Sequence, residues 1–171
     1  IYIEKEAFIM TTTPETLEIL KKIIKKADIA MLITVNSDNR IVARPMQLQD
    51  VEFDGDIWFL TTSDTDKCEE IKKNNNVNVV IADKSYASIS GTAEIVDDLE
   101  KIKQFWSKTY DVMFGLEYTD PRITLIKVKA ETAEYWETGS MLKSVYNFAR
   151  KIIGKDEPND PGKRTNETLE L

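Results

Sequence analysis

The chain has 171 residues, 42% of them hydrophobic, which is enough for one domain with a substantial core, with or without a tail. Its formal net charge of −7 argues against a general nucleic-acid binder, since affinity for phosphate backbones comes from clustered Lys and Arg, but it leaves room for a small anionic ligand in a local positive pocket. No histidine is present, which excludes a Ser-His-Asp triad, a Cys-His pair and a histidine-based metal site. No metal site is expected. Any chemistry must therefore rest on carboxylates, Lys, Tyr, Cys or an imported cofactor.

The first predicted element is an amphipathic helix over Thr13–Ala27, with Thr13 as N-cap and Pro14 at the first helical position. Its apolar residues fall on one face at helical spacing. Residues 1–12 are predicted to be an N-terminal extension or an expression remnant, and Met10 is a candidate start. The opening stretch carries three charges and has no hydrophobic region typical of a signal peptide.

Three predicted strands follow one another through short turns, over Ile29–Val35, Ile41–Phe53 and Ile57–Thr62. The turns "NSDNR" and "DGD" are rich in residues that tolerate left-handed backbone or bond to their own main chain. Short turns join antiparallel strands, whereas parallel strands need long crossovers. The pattern therefore predicts an antiparallel meander.

A short charged helix is predicted over Asp64–Asn74, with Asp64 as a candidate cap, and the later elements follow it in turn. They are strands over Val77–Asp83, Tyr86–Val96 and Arg122–Glu137, a helix over Asp98–Tyr110 and an amphipathic segment over Ser140–Ile153. Gly91, inside a strand, indicates a bulge or the close approach of another group. Residues 154–171 read as a polar C-terminal tail. Together these elements predict an α+β fold, a six-stranded antiparallel, Greek-key-type split β-barrel with flanking helices.

Arg44 lies in the strand segment "ARPMQ", next to Pro45. Proline has no N–H for the ladder, so this place is an edge strand or a bulge. Two interpretations stay open. Arg44 is either an exposed side chain on an irregular strand or a guanidinium directed at a phosphate.

The segment "TTSDTDK", residues 61–67, joins a buried strand to the charged helix. Its hydroxyls, on Thr61, Thr62, Thr65 and a serine, stand where a helix start offers free N–H groups and the positive end of its dipole. Lys67 adds a positive charge. The alternative is plain helix capping by Ser63 or Asp64, and the two aspartates in the segment would repel an anion.

Taken in order, these segments resemble the flavin-binding split barrel of the pyridoxamine-phosphate-oxidase-like proteins, and the bacterial general stress proteins in particular. The resemblance covers about Thr13–Ile153 and rests on "ADIAMLITVNSDNRIVARPM", "DIWFLTTSDTDKCEEIKKNNNVNVVIAD", "YASISGTAEIVDD" and "AEYWE". It implies that residues 13–153 form an FMN-binding domain that dimerises with the cofactor at the interface between the subunits, and it leaves FAD open as the flavin.

The resemblance also assigns roles to residues. Arg44, Thr61, Thr65 and Lys67 match the groups that hold the FMN phosphate, with Thr62 as a further hydroxyl at the junction. The backbone of Met46 and Gln47 matches the part that runs along the isoalloxazine ring. Trp136 matches an aromatic residue that reaches the flavin from the partner chain.

The chain departs from the oxidase itself at several positions. Asp66 stands where the oxidase has an arginine, and Tyr86 stands where it has a glutamine that contacts the flavin. Leu142, Ser144 and Tyr146 stand near its basic substrate-binding residues. The resemblance therefore implies a flavin site and argues against oxidation of pyridoxamine phosphate.

The first hypothesis for function is thus a homodimeric FMN-binding oxidoreductase of unknown substrate. The alternatives are a non-catalytic flavin carrier or sensor and a cofactor-free β-barrel interaction module. The lone Cys68 excludes an intrachain disulfide and fits a cytoplasmic protein, and no apolar run has the length of a membrane span.

Overall fold

A computed structural model of the protein describes residues 14–136 and the backbone of residues 166–170. Its elements, in chain order, are α1 (Pro14–Lys26), β1 (Ile29–Val35), β2 (Ile41–Gln47), β3 (Asp56–Thr62), α2 (Asp66–Lys73), β4 (Asn76–Ala82), β5 (Tyr86–Val96), α3 (Leu99–Phe105), α4 (Lys108–Phe114), β6 (Ile123–Trp136) and β7 (Asn166–Glu170). The predicted extension at 1–12, the cap at Thr13, the segment Ser140–Ile153 and the positions Leu142, Ser144 and Tyr146 lie outside the described residues.

The strands form one antiparallel sheet in the order β2-β1-β4-β5-β6-β3, and β7 also pairs with β6. Strands β4, β5 and β6 are consecutive neighbours, and β3 lies on the far side of β6, which is a Greek-key arrangement. The sheet curls so that its two ends, β2 and β3, come into contact. The predicted α+β split barrel with flanking helices is confirmed.

Strand β6 is long enough to serve two partners along the same edge. Its first half pairs with β3 and its second half, from Thr132 to Trp136, pairs with β7. Strand β7 lies within the stretch predicted to be a polar tail, so this part of the tail belongs to the sheet.

Two predicted boundaries are wrong. The return strand predicted over Ile41–Phe53 ends at Gln47, because the following residues turn away and bring Phe53 into the core. The helix predicted over Asp98–Tyr110 is two helices, α3 and α4. Trp106 has extended backbone between them, Ser107 is the N-cap of α4, and the ring of Trp106 stacks on Phe114 at 6.0 Å.

Pro45 lies on an edge strand, as its sequence context predicts. Strand β2 ends the strand order, and its residues pair with β1 alone along Ile41–Gln47. Along an antiparallel pair, every second residue directs its N–H toward the partner strand, and the residues between direct theirs away. Leu48 directs its N–H toward the β1 side, where it donates to the carbonyl of Asp28. Pro45 is an odd number of positions from Leu48, so the place of its missing N–H faces the open edge.

The strands have an inner and an outer face, each lined by alternate residues. The inner face packs with α1 and α2 around buried side chains such as Leu32, Val79, Ile89 and Ile126. No helix in the described range is long and apolar enough to cross a membrane.

A β-bulge decides which residues of β6 reach the outer face. Gly91 pairs with Ala130 while Ser90 pairs with Thr132, so Glu131 is the extra residue. Before the bulge Val128 and Ala130 point inward, and after it Ala133 and Tyr135 do. The predicted bulge or close approach at Gly91 is confirmed on both counts, since a Cβ there would lie 2.0 Å from the carbonyl oxygen of Lys129.

The outer face has two halves, which differ in their surroundings. The covered half packs against α3 and α4, and its buried side chains are Trp58, Leu60, Ile123 and Leu125. The open half lies on β1 and β2 and on the adjoining ends of β4 to β6. Its apolar residues on β1 and β2 are half-buried or exposed, and they are Ile29, Met31, Ile33, Val35, Ile41, Ala43 and Pro45.

Candidate functional site

A groove lies where β2 passes the junction between β3 and α2. It has a volume of about 350 Å³ and is lined by Arg44, Asp64, Thr65, Asp66 and Lys67. The curl of the sheet produces this site, because β2 and β3 are the two ends of the strand order. The structure therefore brings together Arg44, Thr65 and Lys67, which the resemblance assigns to one phosphate site.

Arg44 is held by a network of partly buried hydrogen bonds. Its Nη1 donates to Glu70 Oε2 at 2.9 Å and to the hydroxyl of Thr34 at 2.8 Å, and its Nη2 donates to Glu70 Oε1 at 3.3 Å. Thr34 in turn donates its hydroxyl hydrogen to Glu70 Oε2 at 2.6 Å. Arg44 is therefore neither a freely exposed side chain nor an unpaired charge.

The Glu70 carboxylate is charged in this network. Burial pushes the pKa of Glu70 upward, but the hydrogen bonds from Arg44 and Thr34 outweigh burial and hold the pKa below its ordinary value. A salt bridge that joins a strand to a helix in this way is costly to break on one side only, because the remaining charge is left without its partner.

Helix α2 begins without a side-chain cap. Its N-cap is Thr65, not Ser63 or Asp64 as the capping interpretation proposes, and the Thr65 side chain makes no cap hydrogen bond. The Thr65 hydroxyl instead donates to the carbonyl of Thr62 at 2.9 Å. The backbone N–H groups of Asp66 and Lys67 have no acceptor among the described residues, so the positive end of this helix is open toward the groove.

Lys67 is the second positive charge of the groove. Burial lowers the pKa of Lys67, and nearby Arg44 lowers it further, while Asp64 and Asp66 act in the opposite direction. Within the described part of the chain, no carboxylate oxygen lies within ion-pair distance of its ammonium group. Among the described residues, Lys67 thus has no ion-pair partner, whereas Arg44 in the same groove is paired with Glu70.

The other predicted site residues do not line this groove. Thr61 is buried opposite Thr124 of β6, and Thr62 contributes its carbonyl to Thr65. Met46 is a core residue, and Gln47 ends β2 with a carbonyl that accepts a weak hydrogen bond from Gln49.

Trp136 is far from the groove within one chain. It pairs with Tyr86 at the last residue of β6. Thr62, which leads into the groove, pairs with Ile123 at the first residue of β6, so Trp136 lies at the opposite end of that strand from the groove. The bulge at Glu131 directs Trp136 to the open half of the outer face.

A family model described as pyridoxamine 5′-phosphate oxidase like matches residues 15–159. The chain belongs to this family. Protein bli-3 of Neurospora crassa is 28% identical to it over 126 residues, which are 66% of this chain and 60% of that protein. The matched region therefore spans less than two thirds of the length of this curated relative.

Solved structures of similar proteins share the fold. The general stress FMN/FAD binding protein of Xanthomonas citri is 27% identical, with a TM-score of 0.62 over 74% of this chain and 91% of that one. General Stress Protein 26 of Bacillus anthracis is 26% identical, with a TM-score of 0.60 over 68% of this chain and 92% of that one. The resemblance to general stress proteins is confirmed.

Sequence reasoning missed Glu70 and Thr34, both of which bind Arg44. The sequence signal for Glu70 is weak, since it is only an acidic residue directly before the apolar Ile71 in the charged helix. Thr34 has a similar one, because it is a polar residue at an inward position of an apolar strand.

The groove has a donor set that fits the phosphate of a flavin mononucleotide from this family. Arg44, Lys67 and the free N–H groups at the start of α2 are the groups that bind phosphate in proteins. Asp64 and Asp66 line the same groove and oppose an anion. The groove therefore fits a phosphate through the positions of its hydrogen-bond donors. Its net positive charge is lower than Arg44 and Lys67 alone would give.

Proposed function

We propose that this protein binds FMN, with the phosphate in the groove between Arg44 and the start of α2. The single observation that carries the proposal is that Arg44 and Lys67 line one groove together with unpaired helix N–H groups. The family context supports it, since the Xanthomonas citri protein is described as FMN/FAD binding. FAD is the alternative flavin for the same groove.

In this proposal the phosphate oxygens accept hydrogen bonds from Arg44, from Lys67 and from the N–H groups of Asp66 and Lys67. Thr65 lines the groove but does not donate its hydroxyl hydrogen to the phosphate, because that hydrogen is already donated to the carbonyl of Thr62. The aspartates reduce the affinity through Coulomb repulsion, which salt in solution screens.

The flavin ring would lie along the open edge of β2. The N–H and C=O groups of Gln47 face away from β1, because the ladder bonds to β1 fall on alternate residues that include Met46 and Leu48. A ring placed there has backbone donors and acceptors within reach, while the buried Met46 side chain holds the strand in the core.

We further propose that the protein is a homodimer joined through the open half of the outer face. Ile41 is 79% exposed and Ile29 is 51% exposed, and they belong to a continuous apolar surface on two neighbouring strands. Contiguous apolar patches of this kind mark interaction surfaces on soluble domains.

A homodimer accounts for the location of Trp136. Trp136 and Tyr86 lie on the open half, at the end of β6 opposite to the junction between β3 and α2 that forms the groove. In a two-fold interface that joins the open halves, the same residues of the partner subunit would come near the edge of β2. The flavin would then be bound by both subunits.

The chemistry of such a site is the redox chemistry of the flavin, and we propose an oxidoreductase whose substrate is not pyridoxamine phosphate. The protein's own residues would anchor the phosphate and form one wall of the ring site. Reduction of bound flavin by NADPH or NADH, followed by reoxidation with an acceptor, would support the enzyme. Bound flavin that no nicotinamide donor bleaches would favour the non-catalytic carrier.

The direct test of the proposed function is a titration of flavin-free protein with FMN, followed by flavin fluorescence. We expect saturable binding by the wild type and binding at least tenfold weaker in Arg44→Ala and Lys67→Ala, since each removes a charge-assisted contact. Arg40→Ala and Lys25→Ala, at exposed positions, are the matched controls. Equal affinity in all five proteins would contradict the phosphate groove.

A further inference from the structure

The guanidinium of Arg44 has two forks of N–H donors, and the fold uses only one of them. The end-on fork, formed by Nη1 and Nη2, points at the two carboxylate oxygens of Glu70. The remaining hydrogen of Nη1 goes to Thr34. The side-on fork, formed by Nε and the second hydrogen of Nη2, has no acceptor in the described part of the chain.

We propose that Glu70 is a positioning residue that presents the side-on fork of Arg44 to the bound phosphate. This inference rests on the flavin-phosphate function proposed above and adds a residue to that site. A fork of two parallel N–H groups matches two phosphate oxygens, provided that the guanidinium plane is fixed.

The surroundings of Glu70 fix that plane. The carboxylate is buried on α2, and it accepts hydrogen bonds from Arg44 on β2 and Thr34 on β1. Three elements thus hold the guanidinium of Arg44 in one orientation. A free Arg side chain loses rotational freedom when it binds a ligand, whereas Arg44 has already lost that freedom in the fold. The same helix supplies Lys67 and the free N–H groups, so the fixed fork and the other donors keep a constant spacing.

Glu70 also affects the charge of the groove. Its carboxylate compensates Arg44, so a variant without it makes the groove more positive. If charge alone governed phosphate binding, removal of Glu70 would tighten FMN binding. If orientation governs it, removal weakens FMN binding, and the two mechanisms therefore predict opposite signs.

The test compares FMN with riboflavin, which lacks the phosphate, in wild type, Glu70→Ala, Glu70→Gln and Arg44→Lys. We expect the wild type to bind FMN more tightly than riboflavin. We expect Glu70→Ala to lower that ratio about tenfold with little change for riboflavin, because the loss acts through the phosphate alone. Arg44→Lys keeps the charge without the fork and should lower the ratio similarly. Glu70→Gln keeps one acceptor oxygen and should give an intermediate ratio.

The outcomes separate this inference from the proposed function. A wild type that prefers FMN, together with an unchanged or higher ratio in Glu70→Ala and Glu70→Gln, would overturn the role of Glu70 and leave the groove intact. A wild type that binds no FMN would overturn both. Should Glu70→Ala fail to fold, a ratio in Glu70→Gln equal to that of the wild type would still overturn the positioning role.

Discussion

The covered half and the open half of the outer face carry similar aliphatic side chains, but those side chains differ in exposure. Leu125 in the covered half is fully buried under α3 and α4, whereas Ile41 in the open half is 79% exposed. The strand sequences alone do not reveal this difference, since both halves are built from continuous apolar runs, "IAMLITV" in β1 and "IWFL" in β3. An apolar strand face must pack against another element to be buried. For the covered half, α3 and α4 of the described chain provide that packing.

The largest expected effect is at Gly91, whose close contact with β6 accompanies the bulge that lies between the two halves. Gly91→Ala would place a Cβ 2.0 Å from the backbone oxygen of Lys129, a clash that only movement of β5 away from β6 relieves. We expect a loss of about 3 kcal/mol or more in the free energy of unfolding, measured by urea denaturation.

Gly115→Ala is the control for that experiment. Gly115 ends α4 with left-handed backbone, but a Cβ there meets nothing within 4 Å. Its cost should be about 1 kcal/mol, from backbone conformation alone. Equal losses in the two variants would contradict the close approach of β5 and β6 at Gly91.

The next effect compares matched truncations in the two halves. Leu125→Ala removes a fully buried side chain and should cost about 3 kcal/mol, while Ile33→Ala removes a half-buried one and should cost about 1 kcal/mol in the monomer. The measurement is urea denaturation at several protein concentrations. Because the proposed dimer would bury Ile33, we expect the difference between the variants to narrow as the concentration rises, and a constant difference would count against the homodimer.

A charge in the open half gives a smaller but more specific effect. Met31, between Pro45 and Val80 in the sheet, would face the partner subunit. Met31→Asp should weaken self-association at least tenfold, about 1.4 kcal/mol, as measured by sedimentation equilibrium. Val112→Asp is the control, since Val112 is 87% exposed on α4 outside the open half. A monomeric wild type, or equal weakening in both variants, would contradict the proposed interface.

Much of the fold follows from local sequence signals. Short turns rich in Asn, Asp and Gly predict the antiparallel strands, and Pro45 and Gly91 mark the edge strand and the bulge where the structure has them. The break between α3 and α4 does not follow from such signals, because it depends on aromatic contacts of Trp106 with residues of α4. The end of β2 at Gln47 likewise depends on Phe53 packing into a distant core.

The site could be predicted only in part. The resemblance identifies Arg44, Thr65 and Lys67, which the structure brings to one groove. The pairing of Arg44 with Glu70 joins residues 26 positions apart, and no local pattern encodes such a contact. The extra residue Glu131 reverses which residues of β6 face outward, and so places Trp136 on the outer face. The sequence of β6 does not predict this reversal, because the bulge is defined only by the pairing with β5.

The central claim is that the groove binds the phosphate of a flavin, and a comparison of FMN with riboflavin in wild type and in the Arg44→Ala, Lys67→Ala double variant tests it most directly. We predict that the wild type binds FMN at least tenfold more tightly than riboflavin, and that the double variant binds the two equally and with the riboflavin affinity of the wild type. A wild type that does not distinguish FMN from riboflavin, or a double variant that still prefers FMN as strongly, would contradict the account.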